Sequence, residues 1–137
     1  MLRARRVLET AVYCDDLART VELYKALLSL EPMRASERVA AFDAGEGTIL
    51  LLFQRGTSDN PFEAPGGLVP GHVSTGPAHF ALAIDSADVT MWNDRLNMLR
   101  IPVESCVDWE RGGHSIYFRD PDGRSVELAT PGVWPSY

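Results

Sequence analysis

Glu9-Thr-Ala-Val-Tyr-Cys-Asp15-Asp-Leu17 decides the fold, because the chain states it twice. Seventy residues on stands His79-Phe-Ala-Leu-Ala-Ile-Asp85-Ser-Ala-Asp88. Each copy opens with one polar, ligand-capable side chain. It continues as an apolar, strand-like run and reaches an aspartate six residues on. Each then enters a helix-like segment, Leu17 to Leu30 in the first copy and Val89 to Leu99 in the second. A repeat of this length makes each copy one supersecondary unit and governs the fold assignment. It also makes Glu9 and His79 matched positions, both expected to look into one site.

Residues 7–14 read as a strand. Leu8, Thr10, Val12 and Cys14 share one face; Val7, Glu9, Ala11 and Tyr13 share the other. Asp15 and Asp16 suit a helix N-cap. Leu17, Val21, Tyr24, Leu27 and Leu28 then form one helical stripe, and Pro32 is the expected stop. A short strand at 33–36, a strand from Val39 to Asp43, a turn at Gly45-Glu-Gly47 and a strand from Thr48 to Gln54 complete the first copy. The second copy gives a strand at 78–85, a helix at 88–99 and strands at Ile101–Val107, Ser115–Arg119 and Ser125–Ala129. Asp120-Pro-Asp-Gly123 makes the last turn; both aspartates read as turn residues.

The order βαβββ, loop, βαβββ places the chain in the α+β class as one domain over 1–137. Module one spans 5–54, module two 78–130, and an irregular tail 131–137, whose aromatics are expected to pack on the body or on a partner. Between the modules, 55–77 is rich in proline and glycine and has little periodicity. It reads as a linker or a functional lid. The final turns repeat as well: Gly47-Thr-Ile-Leu-Leu51 matches Gly123-Arg-Ser-Val-Glu127, so Leu51 is the twin of Glu127.

With 45% hydrophobic and 23% charged residues, 137 residues bury a real core. A formal net charge of -6 and a pI of about 5.0 leave no basic face for nucleic acid. No apolar run approaches the ~18 residues of a membrane span, and no apolar segment follows the N-terminal arginines. The cytoplasm is the expected compartment. Cys14 and Cys106 make no disulfide framework and read as small, half-buried thiols.

Period-2 geometry sets His79 with Ala81 and Ala83, and Glu127 with Ser125 and Ala129. Bulky aliphatics take the opposite faces. Small neighbours around ligand-type groups suit a cavity lining. Taken singly, each residue has an ordinary reading. A strand glutamate is commonly solvated or salt-bridged, here with Arg119 or Arg124 as candidates; a strand histidine is commonly a satisfied core residue. His72 reads as a turn cap or a site residue. Tyr13 and Tyr117 read as pocket walls or as packing, Trp109 as a pocket wall or a dimer contact, and Phe53 as a pocket aromatic. His114 shares parity with Ile116 and Phe118 and faces away from the expected site.

The strand–Asp-Asp-Leu–helix opening, the His79-Phe-Ala-Leu-Ala-Ile-Asp85 strand and Tyr117-Phe-Arg-Asp-Pro-Asp-Gly-Arg-Ser-Val-Glu-Leu128 together resemble the vicinal oxygen chelate superfamily. That is the fold of glyoxalase I, fosfomycin-resistance proteins, extradiol dioxygenases and bleomycin-binding proteins. The resemblance implies a half-open, barrel-like sheet with helices outside, built around a divalent metal. Carried over by position, its ligand sites are Glu9, Leu51, His79 and Glu127. Leu51 cannot bind a metal, and the first site is commonly histidine where this chain has Glu9. One histidine with two carboxylates favours Mn²⁺, Mg²⁺ or Zn²⁺ over the Fe(II) of two-histidine dioxygenase sites.

Two functions follow. The first is a metal-dependent enzyme for small substrates with vicinal oxygens, working through an enolate or oxyanion, with Glu9 or Glu127 exchanging between ligand and base. The alternative is a metal-free, drug-binding protein of the bleomycin-resistance type, holding a cationic ligand between Glu9, Glu127 and the aromatics. Either is expected as a homodimer, as the resemblance implies.

Overall fold

A computed structural model describes residues 1–137, which form two compact units, Met1–Gly76 and Pro77–Tyr137. In the first unit, β1 (Glu9–Cys14) leads into α1 (Leu17–Leu28). Then come β2 (Arg34–Ala35), β3 (Val39–Gly45), β4 (Thr48–Gln54), β5 (Phe62–Ala64) and β6 (Gly67–Val69). In the second, β7 (His79–Ala83) leads through a 3₁₀ turn at Ser86–Asp88 into α2 (Val89–Met98). It ends with β8 (Val103–Asp108), β9 (His114–Arg119) and β10 (Ser125–Ala129). The class is α+β, with two tandem βαβββ units.

The two main sheets share one topology. Their orders are β1-β4-β3-β2 and β7-β10-β9-β8, with the first pair parallel and the others antiparallel. They also share register. Glu9 lies opposite Ile49 and His79 opposite Ser125, so Leu51 and Glu127 are each two residues further along. The parallel pair is possible because a helix-containing crossover returns the chain to run in the same direction.

Alternation along the strands separates core from site. In the first unit the rows Thr10–Leu50–Phe42 and Val12–Leu52–Ala40 lie on one face, and Val12, Ala40, Phe42, Leu50 and Leu52 are buried. α1 packs against β1, β3 and β4 and buries Leu17, Thr20, Tyr24 and Leu27. Thr20 joins the stripe because its hydroxyl donates to the Asp16 carbonyl oxygen at 3.1 Å, so no polar group is stranded. Val21 and Leu28, expected there, are only half-buried. In the second unit the rows Phe80–Val126–Phe118 and Leu82–Leu128–Ile116 repeat the pattern, with Ile116, Phe118, Val126 and Leu128 buried.

The ends of α1 follow local chemistry. Asp16 is the N-cap, its carboxylate accepting the Arg19 N–H at 3.0 Å. Ser29, not Pro32, ends the helix: at φ 54° it turns the chain left-handed, and Leu30 N–H reaches back to the Lys25 carbonyl oxygen at 3.3 Å.

Two further expectations need correction. The 55–77 segment is not without regular structure: β5 and β6 pair as an antiparallel hairpin. Cys106 is exposed, whereas Cys14 is buried. In the tail Trp134 and Tyr137 are both exposed, and the Tyr137 hydroxyl ties the end of the chain to the body by donating to the Ala129 carbonyl oxygen at 3.0 Å.

Candidate functional site

The β9–β10 turn fixes where Glu127 stands. Asp120 accepts the backbone N–H of Asp122 and of Arg124 through Oδ1, and the Arg124 guanidinium through Oδ2 at 2.7 Å. Arg124 also reaches Asp122 at 3.0 Å. Asp120 and Arg124 are both buried, so the turn is closed by a dry ion pair whose hydrogen bonds are satisfied. Arg119 pairs instead with Glu104, at 2.7 Å on an exposed face.

From this turn β10 brings Glu127 into a network on one face of the second sheet. Glu127 is only 6% exposed, and its two oxygens do different things. Oε1 accepts the Ser115 hydroxyl at 2.5 Å and the Tyr117 hydroxyl at 3.1 Å. Trp109 donates its indole N–H to Ser115 Oγ at 2.8 Å, extending the chain by one member. Oε2 faces His79 Nε2 at 3.3 Å. Burial is the main reason the Tyr117 phenol is held above its ordinary pKa. Its bond to Glu127 and that carboxylate's charge push the same way, and a bond with Ser115 opposes them.

His79 explains the open oxygen. Its Nδ1 lies 2.9 Å from the Ser125 carbonyl oxygen, which only accepts, so Nδ1 carries a hydrogen. A neutral His79 then presents a bare lone pair at Nε2, and the ionised Glu127 presents another at Oε2. Two acceptors facing each other at 3.3 Å call for a cation between them or a proton on one of them. The set suits a metal. A ligating histidine characteristically gives its other N–H to a carbonyl, and a ligating carboxylate is itself hydrogen-bonded on the far oxygen. Within neither unit do three His, Cys, Asp or Glu side chains gather around one point.

The first unit carries a cavity of about 660 Å³ on the equivalent face of its sheet. Its floor follows the register. One row is Tyr13–Phe53–Val39; the next is Ala11–Leu51–Ala41–Arg34. Glu9 lies at the edge, exposed and without a side-chain partner in its unit. The β5–β6 hairpin supplies Phe62 and Val69 as walls. His72 closes another side. Its Nδ1 is hydrogen-bonded to the Tyr13 hydroxyl at 2.7 Å, and its ring meets Phe53 edge-on at 4.7 Å. Burial, then the negative charge of Asp59, raises the Tyr13 pKa.

His72 is held from behind. Its backbone N–H donates to the Ser58 carbonyl oxygen, and the Ser58 hydroxyl to the His72 carbonyl oxygen, both at 2.8 Å. Gly71 permits this, because a Cβ there would land on the Asp59 carbonyl oxygen.

Five of the residues singled out in the sequence, Glu9, Tyr13, Leu51, Phe53 and His72, thus line the cavity of the first unit. The other four, His79, Trp109, Tyr117 and Glu127, join through Ser115 in the second. His114 is bonded to Asp108 at 2.7 Å and takes no part in the network. Ser115, Arg34 and Arg38 were not foreseen. Ser115 had one available signal, its shared parity with Tyr117 on the strand beside Glu127.

Two βαβββ units of common order and register define the paired-module class of α+β proteins. The chain matches the family model Glyoxalase/Bleomycin resistance protein/Dioxygenase superfamily over residues 6–128, and it belongs to that superfamily. A lactoylglutathione lyase from Agrobacterium tumefaciens is 34% identical, with a TM-score of 0.84 over 96% of this chain and 98% of that one. A glyoxalase/dioxygenase from Nostoc punctiforme is 25% identical, with a TM-score of 0.68 over 92% and 90%. A glyoxalase/bleomycin resistance protein/dioxygenase from Nocardioides, 23% identical with a TM-score of 0.70 over 98% and 90%, is alike in fold. No curated protein matches the chain.

Proposed function

We propose that this chain is a divalent-metal-dependent enzyme of the glyoxalase type, acting on a small substrate with vicinal oxygens. His79 and Glu127, on the second unit's sheet, are its protein ligands. The observation that carries the reading is the approach of His79 Nε2 to Glu127 Oε2 at 3.3 Å, with His79 Nδ1 already bonded to the Ser125 carbonyl oxygen. A divalent ion bound there supplies Lewis-acid stabilisation of charge developing on the substrate oxygens. Two protein ligands leave positions open for substrate. A single histidine beside a carboxylate suits Mn²⁺, Mg²⁺ or Zn²⁺ better than Fe(II).

The chain's own residues divide the work. Ser115 and Tyr117 hold Glu127 by Oε1 and leave Oε2 for the ion. In the first unit Glu9, exposed and without a side-chain partner there, is a carboxylate free to act as a base. Beside it the cavity floor of Ala11, Leu51 and Ala41 offers a ligand an apolar setting. The 34% identical lactoylglutathione lyase makes lactoylglutathione the first compound to assay. The same reading takes the protein as a cytoplasmic homodimer; light scattering reads the oligomeric state and cell fractionation the compartment.

Metal analysis of protein purified without chelator tests the proposal. Stoichiometric divalent metal, lost in Glu127→Ala, is expected; none in the wild type overturns it. Leu51, standing at the register twin of Glu127 and flooring an aromatic-walled cavity, favours a second reading as a metal-free binder. Thermal stabilisation by an organic cation and by no metal would select it.

A further inference from the structure

We infer that the cavity of the first unit takes a small carboxylate with an apolar, ring-sized body, its anionic end held by Arg34 and Arg38. This rests on the enzyme reading and gives its substrate a chemical class.

The register supplies the geometry. Ala11, Leu51, Ala41 and Arg34 stand in one row across four strands, and all four line the cavity. The row is apolar until its last member, which is a guanidinium. Arg34 has no ion-pair partner. Arg38 is pinned rather than neutralised. Its Nε–H donates to the Thr57 carbonyl oxygen at 2.9 Å, and its guanidinium lies 4.4 Å over the Phe62 ring. Those contacts fix the fork while leaving its terminal N–H groups for a ligand, the arrangement in which arginine binds carboxylates best.

Charge balance points the same way. The cavity has two carboxylates, Glu9 and Glu63, and two guanidiniums. No ion pair joins either carboxylate to either guanidinium, so both guanidiniums stay available to an anion. An apolar floor strengthens their pull on an anion.

Size follows from the sheet. Arg34 on β2 and Glu9 on β1 are three strand spacings apart, about 14 Å between backbones at ~4.8 Å per spacing. The two side chains cover part of that span and the ligand covers the rest. A body about the size of a phenyl ring lies over Leu51, against Tyr13, Phe53 and His72. Acetate is too short to reach both ends.

Calorimetric titration of the full-length protein with 3-phenylpropionate, its amide and the phenethylammonium ion tests this, in chelator-treated and in Mn²⁺-loaded samples. The carboxylate is expected to bind about ten-fold or more tighter than the amide, and the ammonium ion weakest. Arg34→Gln, at an exposed position and checked for an unchanged melting curve, is expected to remove most of that preference; Arg38→Gln is a second, independent variant. Equal binding of amide and carboxylate overturns the inference. So does tighter binding of the ammonium ion, an unchanged preference in both variants, or no binding of any compound. A carboxylate preference without Mn²⁺ binding overturns the enzyme reading and leaves this inference standing. Mn²⁺ binding without the preference does the reverse.

Discussion

Replacing Ser115 with alanine removes one oxygen and separates two parts of the network. Ser115 is fully buried, and its hydroxyl both accepts from Trp109 and donates to Glu127 at 2.5 Å. A hydrogen bond to a charged group contributes about 1.5–3 kcal/mol. Glu127 Oε1 keeps only the longer bond from Tyr117, at 3.1 Å. The carboxylate then loses its orientation more than its charge, and Mn²⁺ affinity falls by roughly 10–100-fold, the usual effect of deleting a group that steers a ligand. Folding suffers less, because alanine fits the space and Trp109, 39% exposed, is not stranded in a dry core. Calorimetry reads the affinity, and tryptophan emission reads the freed indole. Tyr117→Phe is the internal comparison, with a smaller loss expected from its longer bond. Unchanged Mn²⁺ affinity in Ser115→Ala, with Glu127→Ala still abolishing binding, would refute the argument that Glu127 is aimed through this hydroxyl.

Asp120→Ala leaves the buried Arg124 guanidinium without its Oδ2 partner and strips two turn N–H groups of their acceptor; a stability loss of about 3–5 kcal/mol by urea unfolding is expected. The Tyr13 phenol is raised in the folded state by burial and then by Asp59. Its contribution to stability is therefore complete below the unfolded tyrosine pKa, near 10, and is lost as pH rises through the folded value. Ultraviolet titration of the wild type against Tyr13→Phe shows the late-titrating phenol, and Asp59→Asn brings it part of the way back. Glu104 is held low by the hydrogen bond from Arg119. Its contribution is present above the ordinary carboxylate range and lost as pH falls through the lowered value; Arg119→Ala returns the Glu104 titration, followed by NMR, towards that range. Gly71→Ala drives a Cβ into the Asp59 carbonyl oxygen and is expected to break the Ser58–His72 pairing, read as lost amide-exchange protection at His72.

The order of elements was legible because both signals behind it are long. The repeat spans two copies of a whole module, and period-2 alternation in β1, β4, β7 and β10 separates Val12, Leu52 and Leu128 from Ala11, Leu51 and Glu127. The β5–β6 hairpin was not legible. Its strands have three residues each, too few for a period to show, and Pro65-Gly66 reads equally as a turn or as disorder. Ser115 was hidden for another reason. Nothing in a serine announces that its hydroxyl will meet a carboxylate twelve residues on; only pairing of β9 with β10 creates that neighbour. Arg34 depended likewise on its two-residue strand lying opposite Ala41. Thr20 escaped the helix stripe because threonine is counted as polar until its hydroxyl finds the carbonyl four residues back.

The two halves of the His79–Glu127 pair differ in how mutation reaches them. The tautomer of His79 is set by the Ser125 carbonyl oxygen, an atom that every amino acid supplies at that position. Genetic drift at residue 125 can change the side chain freely and still transmit the same instruction. The aim of Glu127 is written in the side chains of residues 115 and 117, where one nucleotide change can erase it. A lineage losing this chemistry would be expected to lose it first on the carboxylate side, with a correctly poised imidazole surviving as the relic.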